Sequence, residues 1–138
     1  FQFSAKLRTR HLSLHRLSGK IYLTSVLVGG TAGLYMAQFS FGGLVSHLGF
    51  SFLAISWITS SIIAYRAIRR GDIQTHQRWM TRNYALTFGA VTLRIYLGIF
   101  FGAGIPFEIF YPIISWLCWI PNLLVAELII KMRSNNAY

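Results

Sequence analysis

The chain has 138 residues and a formal net charge of +10, and 54% of its residues are hydrophobic while only 12% are charged. So few charged residues cannot cover the surface of a soluble globule of this size, and the apolar residues come in long blocks, which indicates an integral membrane protein. The excess of Lys and Arg does not predict a nucleic-acid partner, because the basic residues bracket the apolar blocks instead of following one face of a soluble fold.

Four apolar blocks are long enough to cross a bilayer, which takes about 20 residues of α-helix. They cover residues 17–38, 44–65, 79–101 and 107–130. The first connection, "FSFGG", and the third, "GAGIPF", are short, neutral and rich in glycine, as is typical of tight turns between antiparallel helices. The middle connection, "RAIRRGDIQTHQR", is charged. The sequence therefore predicts an all-α membrane bundle, a single domain over residues 1–138 with four transmembrane helices, short outer loops and a basic inner loop.

The basic residues lie on one side of this arrangement. Five Lys or Arg fall in residues 1–20, five in 66–82 and two in 131–133, and the opposite loops contain none. Because cytoplasmic loops carry the excess of positive charge, both ends of the chain and the central loop are expected on the cytoplasmic or matrix side of a bacterial or organellar inner membrane. This surface also predicts contact with anionic lipids and bound lipid.

Two polar residues stand at the start of the third helix. Asp72 or Thr75 is expected to cap it, since either side chain can accept a hydrogen bond from a free backbone N–H. Asp72 and His76 are spaced i, i+4, which favours a carboxylate that orients the imidazole ring.

An ion pair is predicted between the third and fourth helices. If they form a hairpin that turns near Gly104, equal rise per residue places Arg82 opposite Ala126, next to Glu127. We expect Arg82 and Glu127 to form a structural pair that holds the helices in register, with Asn83 and Asn122 nearby.

Two histidines at the inner ends of different helices allow a cofactor hypothesis. His15 and His76 can supply two axial ligands to haem b, with Arg16 and Arg78 beside the propionates. The alternative is that they are interfacial hydrogen-bonding groups or contact lipid phosphate. A metal site on His11 and His15 is disfavoured, because no carboxylate or cysteine stands nearby to complete it.

A third set of polar residues lies toward the outer side. Arg94 sits inside the third span, and the small residues on its face predict that it packs inside the bundle. Its partner is open: either Glu108 in a structural clamp, or an anion, quinone or haem-propionate site in which His47 donates a hydrogen bond or transfers a proton.

Three stretches carry a resemblance to a known family. "LHRLSGKIYL", "AYRAIRRGDIQTHQRWMTRNYALTFGAVTLR" and "PNLLVAEL" resemble bacterial and eukaryotic predicted multi-pass membrane proteins classified as a domain of unknown function, with H-R-x-x-G-x-x-Y and H-x-x-W-M-x-R-N-Y motifs. The resemblance covers nearly the whole chain and implies an architecture but no activity. It also implies a membrane segment before Phe1, so residues 1–16 are expected to be a basic segment that follows an upstream helix.

The residues favour no enzyme class. Nucleophile triads, H-E-x-x-H and phosphate-binding loops are absent from the sequence, and it contains only three carboxylates. The leading hypothesis is a structural or accessory subunit that packs within a larger membrane protein complex. The alternatives are a b-type-cytochrome-like electron carrier linked to haem or quinone, and a small transporter or sensor.

Overall fold

The computed structural model describes residues 12–135, which form five helices and no strand. The helices are α1 (Leu12–Ala37), α2 (Gly43–Arg69), α3 (Ile73–Gly102), α4 (Phe107–Leu117) and α5 (Ile120–Asn135). The predicted all-α class is confirmed.

Three segments of the described chain are long and apolar enough to cross a membrane. They are α2, α3 and the combined α4–α5 segment, Phe107–Asn135. The first predicted span, residues 17–38, corresponds to α1, which has 26 residues but is not among them. Its first turns carry His15, Arg16 and Lys20, and serine, threonine and glycine dilute its apolar stretch. Three of the four predicted spans are therefore found among the described residues, and the count of four is not confirmed.

The turn between α2 and α3 explains why α3 begins before residue 79. Gly71 adopts φ +79°, a left-handed conformation that glycine tolerates best, and this reverses the chain within two residues. The Asp72 carboxylate then accepts a hydrogen bond from the Thr75 backbone N–H at 2.9 Å. Asp72 is the N-cap, one of the two predicted alternatives. The apolar block marks only the membrane part of α3, whereas the capped helix includes the polar turns before it.

The predicted helix 107–130 is interrupted at Cys118 and Trp119. Pro121 has no N–H and cannot donate to the Leu117 carbonyl four residues earlier, so the regular helix ends at Leu117 and restarts at Ile120. The Asn122 side-chain amide donates to the Cys118 carbonyl at 3.1 Å and supplies a donor at the break. Two helices, α4 packed most closely on α2 and α5 on α3, therefore make up one membrane segment.

Helix α2 lies at the centre of the described bundle, in contact with α1, α3 and α4, while α5 packs mainly on α3. Close contact depends on small residues: a Cβ on Gly49 would lie 2.5 Å from the Ser115 hydroxyl and 3.0 Å from its carbonyl. The end of the bundle that holds the α3–α4 turn is called the outer end, and the opposite end the inner end, after the orientation predicted from the charges. At the outer end, stacked and tilted rings join α4 to its neighbours. This aromatic cluster consists of Phe41, Phe50, Phe100, Phe101, Phe107, Phe110 and Tyr111.

Candidate functional site

A network of polar side chains joins α1, α2 and α3 near the middle of the bundle. The Tyr22 hydroxyl donates to Asn83 Oδ1 at 2.6 Å and lies 2.7 Å from the Thr87 hydroxyl. Asn83 Nδ2 donates to the Trp57 carbonyl at 3.0 Å and to Ser60 Oγ at 2.8 Å, and Trp57 Nε1 donates to Thr87 Oγ1 at 2.9 Å. Thr87 lies about 21 Å along α3 from its start, near the middle of a helix about 45 Å long. We call these five residues the central network.

The central network satisfies its own donors and acceptors. Asn83 is fully buried, and both its amide oxygen and its amide nitrogen have partners. The Tyr22 proton is used on Asn83, so the Thr87 proton is shared between the Tyr22 oxygen and the Asn83 backbone carbonyl at 3.0 Å. An unpaired polar group in hydrocarbon costs several kcal/mol, roughly, so this pairing makes the buried asparagine tolerable and links three helices.

A bidentate ion pair joins α3 to α5. Arg82 Nε donates to Glu127 Oε1, and Arg82 Nη2 donates to Oε2 at 2.9 Å. The guanidinium also lies over the Trp79 ring, 4.7 Å from its centroid, in a cation–π arrangement. The structure thus brings together the two residues proposed from the hairpin register, although the helix break lies between Glu127 and the turn.

The two asparagines expected beside this pair lie elsewhere. Asn83 faces α2 and belongs to the central network. Asn122 Nδ2 donates to Thr92 Oγ1 at 3.0 Å and to the Ala85 carbonyl at 3.3 Å, in the other half of the α3–α5 contact. Adjacent residues on a helix point about 100° apart, so Asn83 cannot share the face of Arg82.

The histidines of the haem hypothesis lie at the inner ends of α1 and α3. His76 Nδ1 is 2.8 Å from the Ala64 carbonyl on α2, so this backbone oxygen, and not the Asp72 carboxylate, orients the ring. Because Nδ1 donates to this carbonyl, Nε2 is the ring nitrogen that remains for another partner. Helices α1 and α3 run in the same direction, and the Tyr22–Asn83 contact places His15 at about the height of residues 76–80. Arg16 and Arg78 are exposed.

The outer polar residues do not converge. Arg94 is exposed, contrary to the prediction that it packs inside the bundle, and its Nη1 donates to the Ala90 carbonyl of its own helix at 2.8 Å. No ion pair joins Arg94 to Glu108 within residues 12–135. His47 Nε2 lies 2.9 Å from the Ser40 carbonyl, where it closes the α1–α2 turn. Arg94 and His47 each make a local contact of their own.

Metal-ligating residues do not cluster in the described part of the chain. No group of three His, Cys, Asp or Glu side chains within residues 12–135 could hold a metal ion. His11 lies outside the described residues. Cys118 is fully buried at the helix break, within hydrogen-bond reach of the Ser115 carbonyl.

The central network is the feature that sequence reasoning missed. Neither Trp57 nor Thr87 was predicted from the sequence to belong to a polar site. A signal was present, because Asn83 and Thr87 are spaced i, i+4 and therefore lie on one helix face. Their partner Tyr22, far away in the sequence, could not be chosen among the chain's seven tyrosines.

These features define a helical membrane protein whose described helices are joined by buried hydrogen bonds and by the Arg82–Glu127 ion pair. Residues 1–130 match the model of a family described as predicted membrane protein (DUF2306). The chain belongs to this family, and the resemblance seen in its sequence is confirmed. No curated protein and no solved structure was found to match it.

Proposed function

We propose that the chain is a structural or accessory subunit that packs against other subunits of a larger membrane protein complex. The observation that carries this proposal is the position of Arg94. It lies within the α3 span, about 12 Å from the outer end, exposed and with no ion pair among the described residues. A charged side chain costs about 2.5–3.5 kcal/mol at the bilayer centre, so a charge inside a span favours a partner that covers it.

The surroundings of Arg94 suit a helix of another subunit. Ile95 and Ile99, next to it on α3, are more than half exposed. Gly98 lies one turn away, and a Cβ added there would meet no atom within 4 Å. Small residues allow helix backbones to approach closely in a membrane, and a carboxylate or a set of carbonyl oxygens on the partner can then pair with the guanidinium.

Co-purification tests this proposal. The full chain is purified from its native membrane in mild detergent, with a photo-crosslinking residue at Ile95 and, as a control, at Ile62, which is exposed on α2 in the groove beside α1. We expect other subunits in fixed stoichiometry, a crosslink from position 95, and loss of both in Arg94→Leu. Arg133→Leu, which removes a charge at the inner end of α5, should retain them. A solitary wild-type chain, or an Arg94→Leu chain with unchanged partners, would count against the proposal.

An alternative, a haem b or quinone-linked electron carrier, has one observation in its favour. The Nδ1 contact of His76 with the Ala64 carbonyl is the arrangement that orients a metal-ligating imidazole and leaves Nε2 for the iron. His15 would be the second ligand, and Arg16 and Arg78 would neutralise the propionates. Haem would supply the one-electron chemistry.

A visible absorption spectrum tests this alternative. The protein is purified with haem available, and spectra are taken oxidised and after dithionite reduction. A reduced b-type band that is lost in His15→Ala and in His76→Ala would establish the electron carrier. A colourless protein excludes the haem-based version. The transporter or sensor hypothesis gains no support, because Arg94 and His47 make separate local contacts and Arg94 forms no ion pair with Glu108 within residues 12–135.

A further inference from the structure

A groove lies between the inner halves of α1 and α2, away from the central network. It encloses about 440 Å³. Lys20 and Leu23 line it from α1, while Ser61, Ile62, Tyr65 and Arg66 line it from α2. These positions lie on one face of each helix, so the groove runs between two antiparallel helices. Its inner end is basic, and its deeper part is apolar.

The two basic residues stand at the same height. On α1, a Cβ at Gly30 would meet Ile58 of α2 at 2.5 Å and the Ala54 carbonyl at 3.8 Å, which fixes the register of the two helices. Equal rise per residue then brings Lys20 level with Arg66. Both side chains are exposed, and neither forms an ion pair with any of residues 12–135.

No acidic side chain among residues 12–135 forms an ion pair with Lys20 or Arg66. The chain's only acidic residues are Asp72, Glu108 and Glu127. Asp72 caps α3, Glu127 pairs with Arg82, and Glu108 begins α4 at the opposite end of the bundle. The inner end of the groove therefore carries two positive charges that no ion pair with residues 12–135 balances.

A buried hydroxyl lies deeper in the same groove. Ser61 is 2% exposed, and its Oγ has no hydrogen-bond partner among the described residues. It lies about 7 Å deeper along α2 than Arg66. A phospholipid carries its ester carbonyls below its phosphate, and a buried donor without an acceptor favours such an oxygen.

We propose that this groove binds one anionic phospholipid. The phosphate lies between Lys20 and Arg66, Ser61 donates a hydrogen bond to an ester carbonyl, and an acyl chain runs along Leu23 and Ile62. Basic pockets between membrane helices recognise lipid head groups in this way. The site is independent of the partner contact at Arg94.

Native mass spectrometry of the delipidated protein in neutral detergent tests this site. The probes are phosphatidylglycerol, phosphatidylcholine with the same acyl chains, and inorganic phosphate, each added separately. Wild type is compared with the double variant Lys20→Gln, Arg66→Gln. The matched control is Arg69→Gln, Arg70→Gln, which removes the same charge from exposed positions outside the groove.

We expect one tightly bound phosphatidylglycerol per chain, with an affinity about thirtyfold lower in the groove variant and nearly unchanged in the control. Ser61→Ala should weaken binding about fivefold without any loss of charge. Equal binding of phosphatidylcholine, equal losses in both double variants, or binding of inorganic phosphate alone at a similar concentration would each overturn the proposal.

Discussion

Tyr22 on α1 donates a 2.6 Å hydrogen bond to Asn83 on α3, although no Cα atom of α1 lies within 8 Å of α3. A single long side chain spans the gap between the two helices, while both pack directly on α2. The Tyr22 ring also stacks on Tyr84 at 5.0 Å, which holds the phenol in position for this bond. The position of α1 against α3 therefore depends on polar side chains and not on backbone contact.

Removal of the Tyr22 hydroxyl should loosen α1. Tyr22→Phe leaves the buried Asn83 Oδ1 without its donor, and we expect the free energy of unfolding in mixed detergent micelles to fall by about 0.5–2 kcal/mol. The matched control is Tyr96→Phe, because the Tyr96 hydroxyl has no hydrogen bond to residues 12–135. Equal losses in the two variants would mean that the bond contributes nothing specific.

Gly49 and Gly98 should respond differently to the same added methyl group. Gly49→Ala places a Cβ against Ser115 on α4, including its backbone carbonyl, and should destabilise the protein by about 1–3 kcal/mol. Gly98→Ala meets open space in the isolated chain and should be neutral or stabilising by up to about 1 kcal/mol. Thermal unfolding in detergent measures both. A tolerated Gly49→Ala would contradict the close α2–α4 contact.

The Arg82–Glu127 pair should show energetic coupling. In a double-mutant cycle with Arg82→Met and Glu127→Met, each single variant leaves one charge without its partner, so the double variant should lose less than the sum of the two. We expect a coupling energy of about 0.5–2 kcal/mol, measured by SDS titration. The charge-swapped variant Arg82→Glu, Glu127→Arg should recover part of the stability, but not the Trp79 contact. Strict additivity would show that the pair does not act as a unit.

The Asp72 cap should make stability depend on pH. The Thr75 backbone N–H holds the pKa of the Asp72 carboxyl below its usual range. A depressed folded pKa means that the charged cap stabilises the fold above the unfolded pKa of about 3.9 and that this contribution is lost as pH falls through the folded pKa. The difference in melting temperature between wild type and Asp72→Ala should therefore be largest near neutral pH and shrink below about pH 4. Asp72→Asn, whose neutral amide still caps, should not show the added pH dependence.

Much of the architecture follows from the sequence because hydropathy and charge act locally. The apolar blocks predict where α2, α3 and the α4–α5 segment lie, and the Gly104 turn sets the register that brings Arg82 to Glu127. The interruption at Cys118 was not predicted, although Pro121 marks it. A proline can be accommodated at a helix start or can break a helix, and the surrounding contacts decide which occurs.

Side-chain direction was the harder part of the site. Arg94 shares a stripe with small residues, which favours burial, yet Arg94, Ala90 and Gly98 are exposed in the described chain. Periodicity shows which residues share a face but not which neighbour covers that face. The central network was missed for the same reason. The spacing of Asn83 and Thr87 indicates one polar helix face, but only the packing of three helices shows that Tyr22 and Trp57 contact it.

The interruption at Cys118 and Trp119 divides the membrane segment Phe107–Asn135 into two helices, and the rotation of each helix about its own axis is set by different contacts. Helix α4 is held by α2 and the aromatic cluster, whereas α5 is held by α3 through Glu127 and Asn122. One residue inserted at the break would rotate α5 by about 100° relative to α4. The aromatic contacts of α4 would keep their register, while the Arg82–Glu127 ion pair would break. The interruption therefore lets the two halves of one membrane segment be aligned independently.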